Sequence, residues 1–259
     1  MYAIITAGGV LKEGDALYDV TGEGQKVLLE IAGKPILQWV LDAVSQSQTI
    51  EQIVIVGLSE VNSVKCRQPI TNLEAHGSLL ENIESGINKV QEIDPHAQKM
   101  ILISGDLPGI SGEMIDWMAD FAAKSDNEFL YPLIERSLME YVFPGAKRTY
   151  VRLREGEFCG GDLMGISASM VKTKDLQGRK LVESRKNPLK QAWILGLDMC
   201  LRLAVGRLSL ARDVPIICRR LGITGKAVIS PFAEIAMDID KPQHISVMEK
   251  YLALKKGTA

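Results

Sequence analysis

The chain has 259 residues, 46% hydrophobic and 24% charged, with a net charge of −2. That length supports a sizeable globular core, and the near-neutral balance excludes a broad basic surface for nucleic acid or an anionic membrane. Four dispersed cysteines (Cys66, Cys159, Cys200, Cys218) form no CxxC pair, and His76, His96 and His244 are equally scattered, which argues against structural zinc, a disulfide framework or a His-based metal site and fits a reducing, cytoplasmic setting.

Met1-Tyr2-Ala3-Ile4-Ile5 enters a strand pattern at once, without the basic start and cleavage site of a signal peptide. Ala3-Ile4-Ile5, Ile53-Val54-Ile55-Val56 and Met100-Ile101-Leu102-Ile103 are nearly unbroken apolar runs, expected of strands covered on both faces. Between the first two, Ile36, Leu37, Val40, Leu41 and Val44 recur at helical spacing after Pro35. Leu79, Leu80, Ile83, Ile87 and Val90 do the same after Ser78, where Ser78-Leu79-Leu80-Glu81 reads as a capping box. This alternation predicts right-handed crossovers and a parallel sheet with helices on both faces.

The second half is less regular. It predicts a helix over 113–124, strands near 128–132, 149–153 and 163–166, and a mostly helical segment over 186–221 broken by Gly206 and Pro215. Late strands are expected at Ala227-Val228-Ile229 and Ile235-Ala236-Met237, then a final helix marked by Ile245, Met248, Tyr251 and Leu252. The apolar stretch from Trp193 to Val205 is interrupted by Asp198 and Arg202, which predicts a packed helix and not a membrane span. No repeat or linker divides the chain, so one domain over residues 1–259 is expected.

In an open parallel sheet, ligands bind where strand C-termini lead into loops. The first strand ends in Thr6-Ala7-Gly8-Gly9, whose paired glycines let backbone N–H groups approach phosphate oxygens or simply make a turn. Gly24-Gln25-Lys26 and Gly33-Lys34-Pro35 follow, and a lysine beside glycines suits a polyphosphate, although a lone lysine is more often plain surface. The third apolar strand ends in Ser104-Gly105-Asp106-Leu107-Pro108. An acid there offers a hard oxygen ligand for Mg²⁺, while Ser111 is better placed to cap the next helix. In Met237-Asp238-Ile239-Asp240-Lys241-Pro242, alternation puts Asp238 and Asp240 on one face, as a second metal carboxylate and a helix cap.

Taken in order, Ala7-Gly8-Gly9, the run from Lys26 to Pro35, Gly105-Asp106-Leu107-Pro108 and Asp238-Ile239-Asp240-Lys241-Pro242 resemble the MobA-like NTP-transferase family. The resemblance implies a three-layer α/β/α fold with a mainly parallel mixed sheet, of the nucleotide-diphospho-sugar transferase type. It implies transfer of a nucleoside monophosphate from an NTP to a small phosphate- or hydroxyl-bearing acceptor, with Mg²⁺ and release of pyrophosphate. By position, Ala7, Gly8 and Gly9 match the loop that holds the nucleotide, Lys26 the lysine on its phosphates, Asp106 the Mg²⁺ ligand, and Asp240 or Asp238 the late carboxylate. His76-Gly77-Ser78, with Asn82 a turn further on, matches the region that approaches the base, and Gly160-Gly161-Asp162 resembles the part that meets the acceptor. Arg179, Lys180, Arg185, Lys186 and Lys190 lie beyond it, to greet an anionic acceptor or as solvated surface.

One departure bears on activity. Relatives carry an arginine soon after the glycines, whereas residues 10–23 contain none and include Glu13, Asp15 and Asp19, so Lys12 is the candidate for that charge. The altered loop motivates a second reading, a nucleotide-binding regulatory module without catalysis. A dinucleotide-dependent dehydrogenase is disfavoured: GxGxxG is missing after the first strand, and Gly57-Leu58-Ser59 stands where an acid would follow the second.

Overall fold

The computed structural model describes residues 1–59, 63–172 and 196–257. Its strands are β1 (Tyr2–Thr6), β2 (Val10–Leu11), β3 (Gly24–Gln25), β4 (Glu30–Ile31), β5 (Lys34–Pro35), β6 (Gln52–Val56), β7 (Ile70–Leu73), β8 (Lys99–Ser104), β9 (Phe129–Glu135), β10 (Val151–Leu153), β11 (Gly156–Gly160), β12 (Leu163–Ser167) and β13 (Gly225–Ile229). The helices are α1 (Tyr18–Thr21), α2 (Ile36–Gln46), α3 (Leu79–Ile93), α4 (Gly112–Lys124), α5 (Arg136–Val142), α6 (Ser169–Lys172), α7 (Leu197–Ala204), α8 (Leu210–Arg220) and α9 (Pro242–Gly257).

A nine-stranded sheet runs β10-β11-β9-β12-β8-β1-β6-β7, with β13 on the far edge of β9. β1 lies parallel between β6 and β8, β7 extends β6, and only β11 and β12 run against the rest. The apolar strands divide their side chains by the two-residue period. Ile4, Val54, Val56, Met100 and Leu102 pack with Ile87 and Val90 of α3 on one face. Ala3, Ile5, Ile53, Ile55, Ile101 and Ile103 pack on the other with Val40, Leu41 and Val44 of α2, Ile115 and Met118 of α4, and Met248 and Leu252 of α9. The result is the α/β/α sandwich that the alternating elements predict. Among the described residues, no helix is long and apolar enough to cross a membrane.

Ser78 caps α3 as its sequence requires: its side chain accepts from Glu81 N, and the Glu81 carboxylate accepts from Ser78 N at 2.7 Å. Replacing Ser78 by alanine is expected to cost about 1 kcal/mol in denaturant unfolding. An unchanged midpoint would show that the box is dispensable.

Three expectations are corrected. Ile235-Ala236-Met237 lies in and just after a 3₁₀ turn, Ala233–Ala236, and is not a strand; Ile235 and Ala236 are buried, and periodicity alone cannot separate a buried strand from a buried turn. Pro215 does not end the late helix but sits inside α8, where Asp213 accepts from Ser209 N at 2.8 Å upstream and Cys218 is buried downstream. Ser111 stands at the N-cap of α4 without a side-chain capping bond. Gly206, with φ of 64°, does separate α7 from α8. Residues 186–195 of the expected helical segment, and Arg179, Lys180, Arg185, Lys186 and Lys190, lie outside the described residues.

Candidate active site

The loops at the C-terminal ends of the parallel strands converge. Thr6 and Ser104 are partners across β1 and β8, and Gly105 N donates to Thr6 O at 2.9 Å, so the Ala7-Gly8-Gly9 and Gly105-Asp106 loops leave the sheet side by side. Ala7 N donates to Val56 O, which fixes the glycine loop beside the end of β6. There Gly57, with φ of +96°, lies so near that a Cβ on it would come within 2.4 Å of Gly8 Cα. A Cβ on Gly8 would in turn meet Ala75 at 3.0 Å, which brings the His76-Gly77-Ser78 segment to the same rim. His76 N donates to Asn82 Oδ1 at 2.7 Å, so Asn82 shapes this loop.

Lys26 joins the glycine loop to the acids. Its N–H donates to Gly9 O at 2.9 Å, at the start of the 3₁₀ turn Lys26–Leu28. Its ammonium lies 2.5 Å from Asp106 Oδ2 and 2.5 Å from Asp240 Oδ1. Burial alone would make the ammonium easier to deprotonate, but the charges of Asp106 and Asp240 outweigh it and raise the pKa. Lys34, the other lysine beside a glycine, pairs instead with Asp42 and sits over the Trp39 ring. Lys12 is exposed on the loop after β2, with its N–H donating to Asp15.

The late acids arrive from the segment before α9. Ile239 N donates to Asp106 O at 3.3 Å, and one oxygen each from Asp106, Asp238 and Asp240 lies within 4.8 Å of the others. Asp106 Oδ1 accepts from Ser104 Oγ at 2.6 Å. Burial, then its bond with Asp240, pushes the Asp238 carboxyl up, while Asp240 is drawn down by Asp238 and Lys26 in spite of burial. The two acids are thus pushed apart in acidity, with Asp240 the more readily ionised of the pair.

Asp162 completes the rim at the break between β11 and β12. Its N–H donates to Ile235 O at 2.8 Å and its carbonyl accepts from Ser104 N at 3.0 Å, which stitches three segments together. A Cβ on Gly161 would come within 2.8 Å of Ile235 O, so the break needs glycine there. Burial first, and the charge of Asp106 second, push the Asp162 carboxyl up to about 6. Cys159 is buried and its thiol is pushed up to about 11, so it offers no nucleophile.

Arg148 was not legible in the sequence, yet its Nη2 lies 2.5 Å from Asp238 Oδ1 with both side chains mostly buried. His244 secures the same turn. Burial, then Arg148, lower its pKa; Nδ1 lies 3.2 Å from Asp240 N and 3.0 Å from Asp238 O, and Nε2 lies 3.2 Å from the carbonyl of Ala146, two residues before Arg148. Gln25 was also missed; its amide donates to Gly57 O and accepts from Ser59, bracing the rim. Neither residue carries a motif, and only tertiary contact reveals them.

This donor set can hold a hard divalent cation. Three carboxylates converge, Asp162 adds a fourth negative group, and among the described residues Lys26 and Arg148 are the basic groups paired with them. Mg²⁺ commonly takes one or two carboxylates and completes its shell with water and substrate phosphate.

Known proteins are similar to this chain in sequence and fold. A probable molybdenum cofactor guanylyltransferase of Thermococcus sibiricus is 22% identical over 144 residues, 54% of this chain and 70% of that protein. A hypothetical transferase from Thermus thermophilus superposes with a TM-score of 0.79 at 32% identity, covering 94% of this chain and 98% of that one. A CMP:2-keto-3-deoxy-manno-octonic acid synthetase complexed with CTP gives a TM-score of 0.63 at 13% identity over 98% of both chains, which shows a common fold. Residues 3–162, from the first strand through Asp162, match the MobA-like NTP transferase domain. With the loop order, the sheet topology and this match in agreement, the chain belongs to the MobA-like NTP transferase family, a family of nucleotidyltransferase type.

Proposed function

We propose that this protein transfers a nucleoside monophosphate from an NTP to a small phosphate- or hydroxyl-bearing acceptor, with Mg²⁺ held by Asp106, Asp238 and Asp240. The observation that carries the reading is the meeting of those three carboxylates, with Asp106 and Asp240 on the Lys26 ammonium, whose backbone N–H donates to Gly9 O. In this reading the N–H groups of Ala7, Gly8 and Gly9 face the phosphates, and Lys26 and Lys12 offset their charge. His76, Gly77, Ser78 and Asn82 border the base, and Gly160, Gly161 and Asp162 border the acceptor. Mg²⁺, when bound, neutralises the polyphosphate and orients it for displacement of pyrophosphate. The protein's task is alignment and charge, which requires no covalent nucleophile.

The named relatives point to a guanine or a cytosine nucleotide. A thermal-shift screen of the four NTPs with Mg²⁺ is expected to show selective stabilisation by one of them, about 3 kcal/mol at a hundredfold excess over Kd. Pyrophosphate release with that NTP over a panel of small phosphates and alcohols then tests turnover. Absence of stabilisation by every NTP would end the proposal. Tight NTP binding that survives loss of Asp106, with no turnover on any acceptor, would instead favour the regulatory module, for which the acidic loop holding Glu13, Asp15 and Asp19 is the motive.

A further inference from the structure

The acidic cluster is already neutralised in part by the protein's own side chains. Asp106 has both oxygens engaged, Oδ1 by Ser104 Oγ at 2.6 Å and Oδ2 by Lys26 at 2.5 Å. Asp240 gives Oδ1 to the same ammonium, and Asp238 gives Oδ1 to Arg148. Each of the three carboxylates that converge within 4.8 Å thus has an oxygen on a fixed positive group. A divalent cation and an ammonium drawn to one oxygen repel each other, most of all at the buried carboxylates of Asp106 and Asp238.

We infer that Lys26 and Arg148 are resident counter-ions of this cluster, holding its carboxylates in the cation-free protein and yielding them when a divalent cation binds. The inference rests on the reading that the cluster takes such a cation, and adds to it an exchange of partners. Lys26, released from Asp106 and Asp240, remains tethered to Gly9 through its backbone and is free to turn to nucleotide phosphate. Arg148, released from Asp238, lies on the segment between α5 and β10, where the charge of Asp162 also reaches it. Cation and nucleotide would then bind cooperatively, because each removes an obstacle to the other.

The exchange predicts a sign that simple support of the site does not. If the basic side chains only held the carboxylates in place, their loss would weaken cation binding. As competitors for the same oxygens, their loss strengthens it. Mn²⁺ binding to the full chain, followed by electron paramagnetic resonance without nucleotide, is expected to be about tenfold tighter in Lys26→Met and in Arg148→Met than in the wild type. Lys26→Met should at the same time lose affinity for the NTP, an opposite change in one variant. Adding Asp106→Asn to Lys26→Met should abolish the gain, which assigns it to the cluster.

Should Lys26→Met fold poorly, Lys26→Gln offers a second test, read as a larger Mn²⁺-induced rise in melting temperature than the wild type shows. Mn²⁺ affinity equal to or weaker than wild type in both single variants overturns the exchange and leaves the cation site standing. Failure of the wild type to bind Mn²⁺ either alone or with NTP removes the cation site, and the exchange with it.

Discussion

Asp106→Asn is expected to lower kcat/KM for nucleotidyl transfer by about a thousandfold, some 4 kcal/mol of transition-state stabilisation, and to do so without unfolding the protein. The side chain is buried at the end of β8, where Ser104 and Lys26 fix both oxygens. An amide of the same shape keeps an oxygen for one of them but loses the charge a hard cation needs. Stability should move the other way or hardly at all. Asp106, Asp162, Asp238 and Asp240 crowd around two basic groups, and the upward push on the Asp162 and Asp238 carboxyls, from burial first and from neighbouring acids next, includes the repulsion among them. Removing one charge relieves it, the trade between activity and stability usual at such sites. Steady-state pyrophosphate release together with a thermal melt separates the two effects. Activity within tenfold of wild type would show that Asp106 is not the essential ligand.

That the acids belong together was readable from the chain; how they are held was not. An acid directly after the buried run Met100-Ile101-Leu102-Ile103, and two more on alternate residues before a proline, mark positions at strand ends and in an extended segment. The apolar runs of β1, β6 and β8 are unambiguous because both of their faces are covered. β7 was missed because Ile70-Thr71-Asn72-Leu73 is half polar, as befits the last strand at an edge, with only β6 beside it. Lys26 and Lys34 stand beside glycines alike in the sequence. What distinguishes them is that one meets Asp106 and Asp240 and the other meets Asp42 and Trp39. Arg148 has no local pattern at all, since its partner Asp238 comes from a segment far along the chain, just before α9. Residues 10–23, which contain no arginine, run from β2 through α1 to β3 at Gly24–Gln25, and β2 pairs with β3 across this loop.

The close approach of Gly57 to Gly8 yields the second large effect. Gly57→Ala is expected to destabilise the protein by about 3 kcal/mol, combining a strained backbone with a clash that no side-chain rotation relieves. Gly57 has φ of +96°, and its Cβ would meet Gly8 Cα at 2.4 Å, Gly8 N at 2.6 Å and the Ala75 methyl at 3.1 Å. To make room, the ends of β1 and β6 must part, and the moving atoms include the Gly8 N–H assigned to phosphate. Loss of the NTP-induced thermal shift should therefore accompany the loss of stability. Gly33→Ala supplies the control: φ there is +85°, but a Cβ meets nothing within 4 Å, so it carries strain alone, about 1 kcal/mol. In a chain of this size the difference between the two variants corresponds to roughly 6 °C in melting temperature. Equal melting temperatures, with NTP binding intact in both, would mean that β1 and β6 do not press their loops together, and the cradle assigned to the nucleotide would lose its physical basis.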